Sequence, residues 1–267
     1  MKIIALLSLL LFFPNLNLLA ETRVRLTGSS TMAPLIQEIA ERYEKSNSKA
    51  RIDIQTGGSS RGIRDAKVGL SEIGMSSRAL KKSENEGIKT HTFAQDGVAF
   101  IVHKKNPISQ LSDEQLKKIF SGEVENWKEV GGADKEIISI SRANGRSELN
   151  LLSSYLGLST GKFKTKLVAG ETQQALKSVI GNESAITFIS LGAAEYEISN
   201  GAKIKLLPLK GIKASSKNVK SGKFPLTRPL VLITKSDLDS STKKFLDFCL
   251  SEQVHDLINS YTFTPAS

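Results

Sequence analysis

Apolar residues recur at two different periods along the chain. The stretches "RVRLTG" (23–28), "ARIDIQTG" (50–57) and "KIKLLPL" (203–209) alternate apolar and polar positions, which predicts strands with one covered face. "GVAFIV" (97–102), "EIISIS" (136–141) and "AITFIS" (185–190) carry longer apolar runs, the pattern of strands covered on both faces. Between them the spacing turns helical: Leu35, Ile36, Ile39 and Tyr43; Leu116, Ile119 and Phe120; Leu149, Leu152 and Leu156; Leu176 and Ile180. Strands alternating with helices predict an α/β fold with mixed, mostly parallel sheets. In such sheets ligands bind beyond the carboxyl ends of the strands, where loops lead into helices.

Three of those strand-to-helix junctions share a chemistry. "LTGSSTMAPLIQEIAERY" (26–43), "IQTGGSSRGI" (54–63) and "IGMSSRAL" (73–80) each place paired hydroxyls after an apolar run. The first turn of a helix has backbone N–H groups without intrahelical partners and a partial positive charge from the macrodipole. Glycine lets the backbone approach closely, and Ser or Thr either caps the helix or offers a hydroxyl to a ligand. Capping alone explains any single junction, whereas three with paired hydroxyls predict a shared oxyanion. Pro34, tolerated in a first helical turn, predicts a helix starting near Thr31 or Met32.

Composition narrows the picture. The 267 residues suffice for one large domain or two smaller ones, and a 24% charged, 39% hydrophobic content is that of a globular protein. The N-terminal "MKIIALLSLLLFFPNLNLLAETR" has Lys2, an apolar run from Ile3 to Phe13, Pro14 and a small Ala20, the pattern of a cleavable signal peptide over residues 1–20. Nothing later approaches the ~20 consecutive apolar residues of a membrane span. Loss of Lys2 leaves 36 basic against 27 acidic side chains, a net charge near +9 that favours anionic partners without choosing among them. The single cysteine, Cys249, is far from the cleavage point, so neither a lipid attachment nor an internal disulfide is expected. Its place in "STKKFLDFCL" predicts a packing role on a helix.

The motifs "GSSTMAPL", "GGSSRGIRDAKVG", "GMSSR", "QDGVAFIVHKKNP", "LSDEQLKKIFSGEVENWKEVGG", "SRANG", "ITFISLGAA" and "FPLTRPLVLITK" occur in an order that resembles the phosphate-binding protein of ABC-type phosphate (Pst) transporters. The resemblance extends over nearly the whole mature chain, and "IFSGEVENWKEVGG" and "PLTRPL" are its most specific parts. It implies a periplasmic-binding-protein-like fold: two α/β lobes joined by crossing strands, here 21–102 with 229–267 and 103–228. It further implies a periplasmic, monomeric protein that closes on inorganic phosphate and passes it to an inner-membrane ABC permease, with no cofactor, metal or nucleic acid. By position, the implied ligand residues are Ser30 and Thr31, Ser59 and Ser60, and Ser77 from one lobe, with Arg142 from the other.

Two positions stand out against that pattern. Where family members commonly carry Arg-x-x-Gly-Ser-Gly-Thr, this chain reads "RANGRSEL", putting Arg146, Ser147 and Glu148 at the last three places. Arg146 or Ser147 offers replacement donors, while Glu148 repels an anion unless it points away. Asp96, just before "GVAFIV", is either a turn residue in "QDG" or an acceptor for the proton of hydrogen phosphate, which sulfate lacks near neutral pH. Arg142 fits an oxyanion because its planar fork matches two oxygens.

A different class of function is also spelled by the sequence. "GSSRG" (58–62) satisfies Gly-x-Ser-x-Gly between a strand and a helix, and Asp237 and His255 follow Ser60 in the order of an α/β-hydrolase triad. No HGGG-type oxyanion motif precedes it. His91, His103 and His255 are scattered rather than spaced as metal ligands. Another tetrahedral oxyanion in place of phosphate remains compatible with the same motifs.

Overall fold

The computed structural model describes residues 22–266. The signal-like segment at 1–20 lies outside the described residues. The elements run β1 (Thr22–Gly28), α1 (Ala33–Ser46), β2 (Ala50–Thr56), α2 (Ser59–Val68), β3 (Ile73–Ser76), β4 (Ile88–His103), α3 (Asp113–Ser121), β5 (Ile138–Arg142), α4 (Ser147–Leu156) and β6 (Leu167–Ala169). There follow α5 (Thr172–Ile180), β7 (Ala185–Ser190), α6 (Leu191–Ser199), β8 (Ile204–Leu206), α7 (Ser216–Lys220), β9 (Thr227–Lys235), α8 (Ser240–Cys249), α9 (His255–Ser260) and β10 (Thr264–Pro265). The predicted helical spacings all fall on helices, with Leu35, Ile36, Ile39 and Tyr43 buried on α1, and Leu149, Leu152 and Leu156 buried on α4.

The strands connect in the order β2-β1-β3-β9-β4-β7-β5-β6, with β8 and β10 both paired to β4. β1 pairs in parallel with β2 and β3, and β5 with β6 and β7. The pairs made by β4 and β9 are antiparallel. β4 is the crossing strand: Ile88–Gly97 pairs with β9, and Val98–Val102 then pairs with β7. Strand partners therefore put residues 22–97 and 227–266 with one sheet half and 98–226 with the other, so the crossings fall slightly before residues 102 and 229. Each half has its own core. One gathers Leu26, Leu35, Ile36, Leu232 and Phe245, with Cys249 as a buried packing residue. The other gathers Phe100, Phe120, Trp127, Leu152 and Phe188, with Phe120 edge-on to Phe188 at 5.3 Å between ring centres.

Two elements depart from the periodicity. The first half of β4, "IKTHTFAQ", had no apolar run to announce it and is held by its pairing with β9. β8 stops at Leu206, short of the predicted 209, because Pro208 has no N–H to continue a ladder.

What positions the site is the way α1 and α2 leave the carboxyl ends of β1 and β2. Gly28 makes this possible: it sits at φ 134°, and an added Cβ would lie 2.2 Å from Met75 O and 3.0 Å from Gly62 Cα. Its own carbonyl accepts from both Gly57 N and Gly58 N at 2.9 Å, tying the first junction to the second. Gly28→Ala should therefore cost roughly 2–4 kcal/mol of stability through strain and overpacking. Urea unfolding checks this, and an unmoved midpoint would mean the junction relaxes freely.

Candidate functional site

The three junctions meet, although the third leads from β3 into a loop and a short 3-10 turn at Lys82–Glu84 rather than into an α-helix. Ser29 Oγ donates to Ser77 Oγ at 2.9 Å, Ser59 Oγ lies 3.4 Å from the same oxygen, and Ser77 N donates to Ser59 Oγ at 3.0 Å. Across the cleft stand the starts of α4 and α5. Ser77 Oγ is 2.7 Å from Ser147 Oγ, Ser30 Oγ is 3.2 Å from Thr172 Oγ1, and Ser60 N donates to Gly145 O at 3.3 Å. Four helix N-termini thus converge on one place. Their N-cap residues, Met32, Gly58, Arg146 and Glu171, make no side-chain cap hydrogen bond. By contrast α3, α6, α7 and α8 are capped by Ser112, Ser190, Ser215 and Asp239. The hydroxyls at the junctions are therefore not spent on capping, and the four helix starts keep the partial positive charge that favours an anion, although Ser60 N is already taken by Gly145 O and Ala33 N by Ser29 O.

Three arginines and three carboxylates occupy the same region. Arg142, at the end of β5, is 1% exposed. Its Nη1 donates to Glu171 O at 2.8 Å and its Nη2 reaches Thr172 Oγ1 only at 3.5 Å. Its Nε is buried and has no hydrogen-bond partner among the described residues. Burial pulls the Arg142 guanidinium below its ordinary pKa; Glu148 opposes this, while Arg146 and Arg228 add to it. A buried cation with an unused donor is costly unless an acceptor comes to it. Arg146 is turned to Glu171, with Nη2 to Oε1 at 2.7 Å and Nη1 to Oε2 at 3.3 Å.

Arg228, near the start of β9, is the hub. Its Nε and Nη2 donate to Asp96 Oδ2 at 3.1 and 2.8 Å, its Nη1 to Ser147 Oγ at 2.8 Å, and its Nη2 also to Thr31 Oγ1 at 3.1 Å. Glu148 Oε1 lies 3.4 Å from the same guanidinium. Burial would lower the Arg228 pKa, but Glu148 and Asp96 outweigh it and the net direction is up. Asp96 spends its other oxygen on Gly192 N at 3.1 Å. Burial raises its carboxyl above the usual range, and Arg228 draws it back. Glu148 does not point away from the cleft: Thr31 Oγ1 donates to its Oε1 at 2.9 Å. Burial alone would raise its carboxyl, but Arg228 and Arg142 more than offset that and hold it at about 2.

All nine residues expected at an anion site, Ser30, Thr31, Ser59, Ser60, Ser77, Asp96, Arg142, Arg146 and Ser147, thus lie in or beside this cluster. The sequence reading missed Arg228, Ser29, Thr172 and Glu171. For Arg228 a signal existed: it is the sole arginine after Arg146, where the other cations are lysines, and it sits inside the specific "PLTRPL". Thr172 and Glu171 carried no such mark. The hydrolase constellation is not assembled. Ser60 is the second residue of α2, Asp237 lies in the loop after β9 and His255 opens α9, and no hydrogen bond joins the three among the described residues. His103 ends β4, where its Nδ1 accepts from Lys105 N. No group of three or more potential metal-ligating His, Cys, Asp or Glu exists among the described residues.

The family model described as a PBP superfamily domain matches residues 19–253. The phosphate-binding protein PstS of Borreliella burgdorferi is 30% identical over 255 residues, covering 91% of this chain and 90% of that protein. Among solved structures, a protein from Clostridium perfringens described as a phosphate ABC transporter substrate-binding protein, crystallised with bound phosphate, superposes with a TM-score of 0.85 at 31% identity. That superposition covers 92% of this chain and all of the other. An ABC-type phosphate transport receptor from Vibrio cholerae has a TM-score of 0.69 at 30% identity, covering 91% and 99%.

Proposed function

Because the chain belongs to the PBP superfamily and, within it, to the phosphate-binding proteins of ABC-type phosphate transporters, we propose that its cleft holds inorganic phosphate between the starts of α1, α2, α4 and α5. The observation that carries this is the buried, unpartnered Nε of Arg142, set where four helix N-termini meet without side-chain caps. Ser30, Thr31, Ser59, Ser60, Ser77 and Ser147 supply hydroxyl or backbone donors, and Arg142 supplies charge. Such a site replaces an anion's hydration shell with fixed donors, and binding is selective closure without bond-making or bond-breaking. Asp96 acts here through Arg228, whose guanidinium its Oδ2 holds; Arg146 acts through Glu171.

The wider reading is of a protein exported by the 1–20 segment, working as a monomer outside the inner membrane and handing phosphate to an ABC permease without chemistry of its own. The family's role supports it. Among the described residues no helix is long and apolar enough to cross a membrane.

Calorimetry on protein stripped of bound anion tests the proposal. Phosphate should bind at one site per chain, sulfate and molybdate far more weakly, and an esterase assay on the same sample should show no turnover. Equal heats from all three anions would make this a general oxyanion site, and turnover lost in Ser60→Ala would point to a hydrolase instead.

A further inference from the structure

Glu148 is the residue that the anion-binding role does not account for, although an acid suits the first turn of a helix. It is 3% exposed and lies in the first turn of α4, among donors that suit a tetrahedral oxyanion. Its Oε1 takes the Thr31 hydroxyl from the opposite half of the molecule at 2.9 Å and lies 3.4 Å from the Arg228 guanidinium. Ser147 Oγ is 3.4 Å from its Oε2. Arg142 favours its ionised form through space, and the carboxyl stands at about 2, so it is fully charged at neutral pH. The cluster is therefore balanced within the protein: Arg142, Arg146 and Arg228 against Asp96, Glu148 and Glu171.

We propose that Glu148 is a built-in competitor for the bound anion, a tethered carboxylate that draws on Thr31, Arg142 and Arg228 and ties α4 to the start of α1. The inference rests on the phosphate-site reading above. A phosphate entering this cluster meets a fixed negative charge that already uses one of its hydroxyl donors. It must move that carboxylate aside or share its donors, and either lowers affinity while easing release. The charge on Glu148 thus sets how tightly phosphate is held. It shares the Arg228 guanidinium with Asp96, whose other oxygen is held by Gly192 N.

The test compares wild type with Glu148→Gln, which keeps the shape and an acceptor for Thr31 but removes the charge. Phosphate titrated into each stripped protein at neutral pH should bind the variant at least tenfold more tightly, with the gain in a slower dissociation rate. Glu148→Ala serves as the second variant if Gln perturbs folding, with the same expected direction. Small-angle scattering of anion-free samples should show Glu148→Ala more extended than wild type, because the tie to Thr31 is gone. If wild type binds phosphate and neither variant binds it more tightly, Glu148 serves Arg228 alone and the inference fails while the phosphate reading stands. If no form binds phosphate, both fail. A wild type that binds weakly beside a variant that binds tightly supports both.

Discussion

Arg142→Lys should weaken phosphate binding by roughly 1.5–3 kcal/mol, the range for charge-assisted hydrogen bonds, or about 10- to 150-fold in affinity. Lysine keeps the charge but not the fork. In the structure one arm of the guanidinium holds Glu171 O while Nε is left over in the buried cluster. A single ammonium cannot satisfy that carbonyl and also face a ligand from the same position. Arg142→Ala should lose more again, with the urea midpoint changing little, because the alanine also removes a cation that burial disfavours. Calorimetry with phosphate measures both variants; full affinity in Arg142→Ala would remove this residue from the site.

Arg228→Met should be the most destabilising of the changes considered. It leaves Asp96 and Glu148, 2% and 3% exposed, without the guanidinium that pairs them. Breaking a buried ion pair from one side costs about 3–5 kcal/mol, because the remaining charge is uncompensated. The pH dependence contributed by Glu148 should also change sign, while Asp96 already lies above its ordinary value in wild type. In wild type, Glu148 is held at about 2 against an ordinary 4.5, so its contribution is complete above 4.5 and lost as pH falls towards 2. Without Arg228 the buried carboxyls lie above their unfolded values, so the folded state binds protons more readily and regains stability as pH falls. Urea unfolding at about pH 7 and about pH 4 should show the gap between variant and wild type narrowing at the lower pH. A gap of equal size at both would mean that solvent reaches the carboxylates.

How much of this was legible in the residues follows from which forces leave a local trace. The helices of the cleft were legible because burial on one face writes a 3.6-residue period, as at Leu35, Ile36, Ile39 and Tyr43. The junction hydroxyls were legible because a Gly-Ser-Ser run before a helix has few purposes. That they are not caps was not legible, since Ser and Thr in those places cap many helices. The first half of β4 was hidden because its order comes from β9, more than a hundred residues away, and not from its own pattern. Arg228 stood out as the sole arginine after Arg146, but its role was hidden for the same reason: its partners Asp96, Thr31 and Ser147 come from three distant segments. Asp96 was visible as an acid in an odd place, but its partner Arg228 comes from a strand more than a hundred residues away and left no trace beside it. Glu148 was recognisable as a departure, and only the geometry shows that it turns inward.

The central claim, that phosphate sits against the Arg142 Nε between four helix N-termini, is tested most directly by a crystal structure of the protein grown with phosphate. The account predicts a phosphate oxygen within hydrogen-bond distance of Arg142 Nε and others facing Ser30, Thr31, Ser59 and Ser77. A phosphate bound elsewhere, with Arg142 Nε still facing no oxygen, would contradict it.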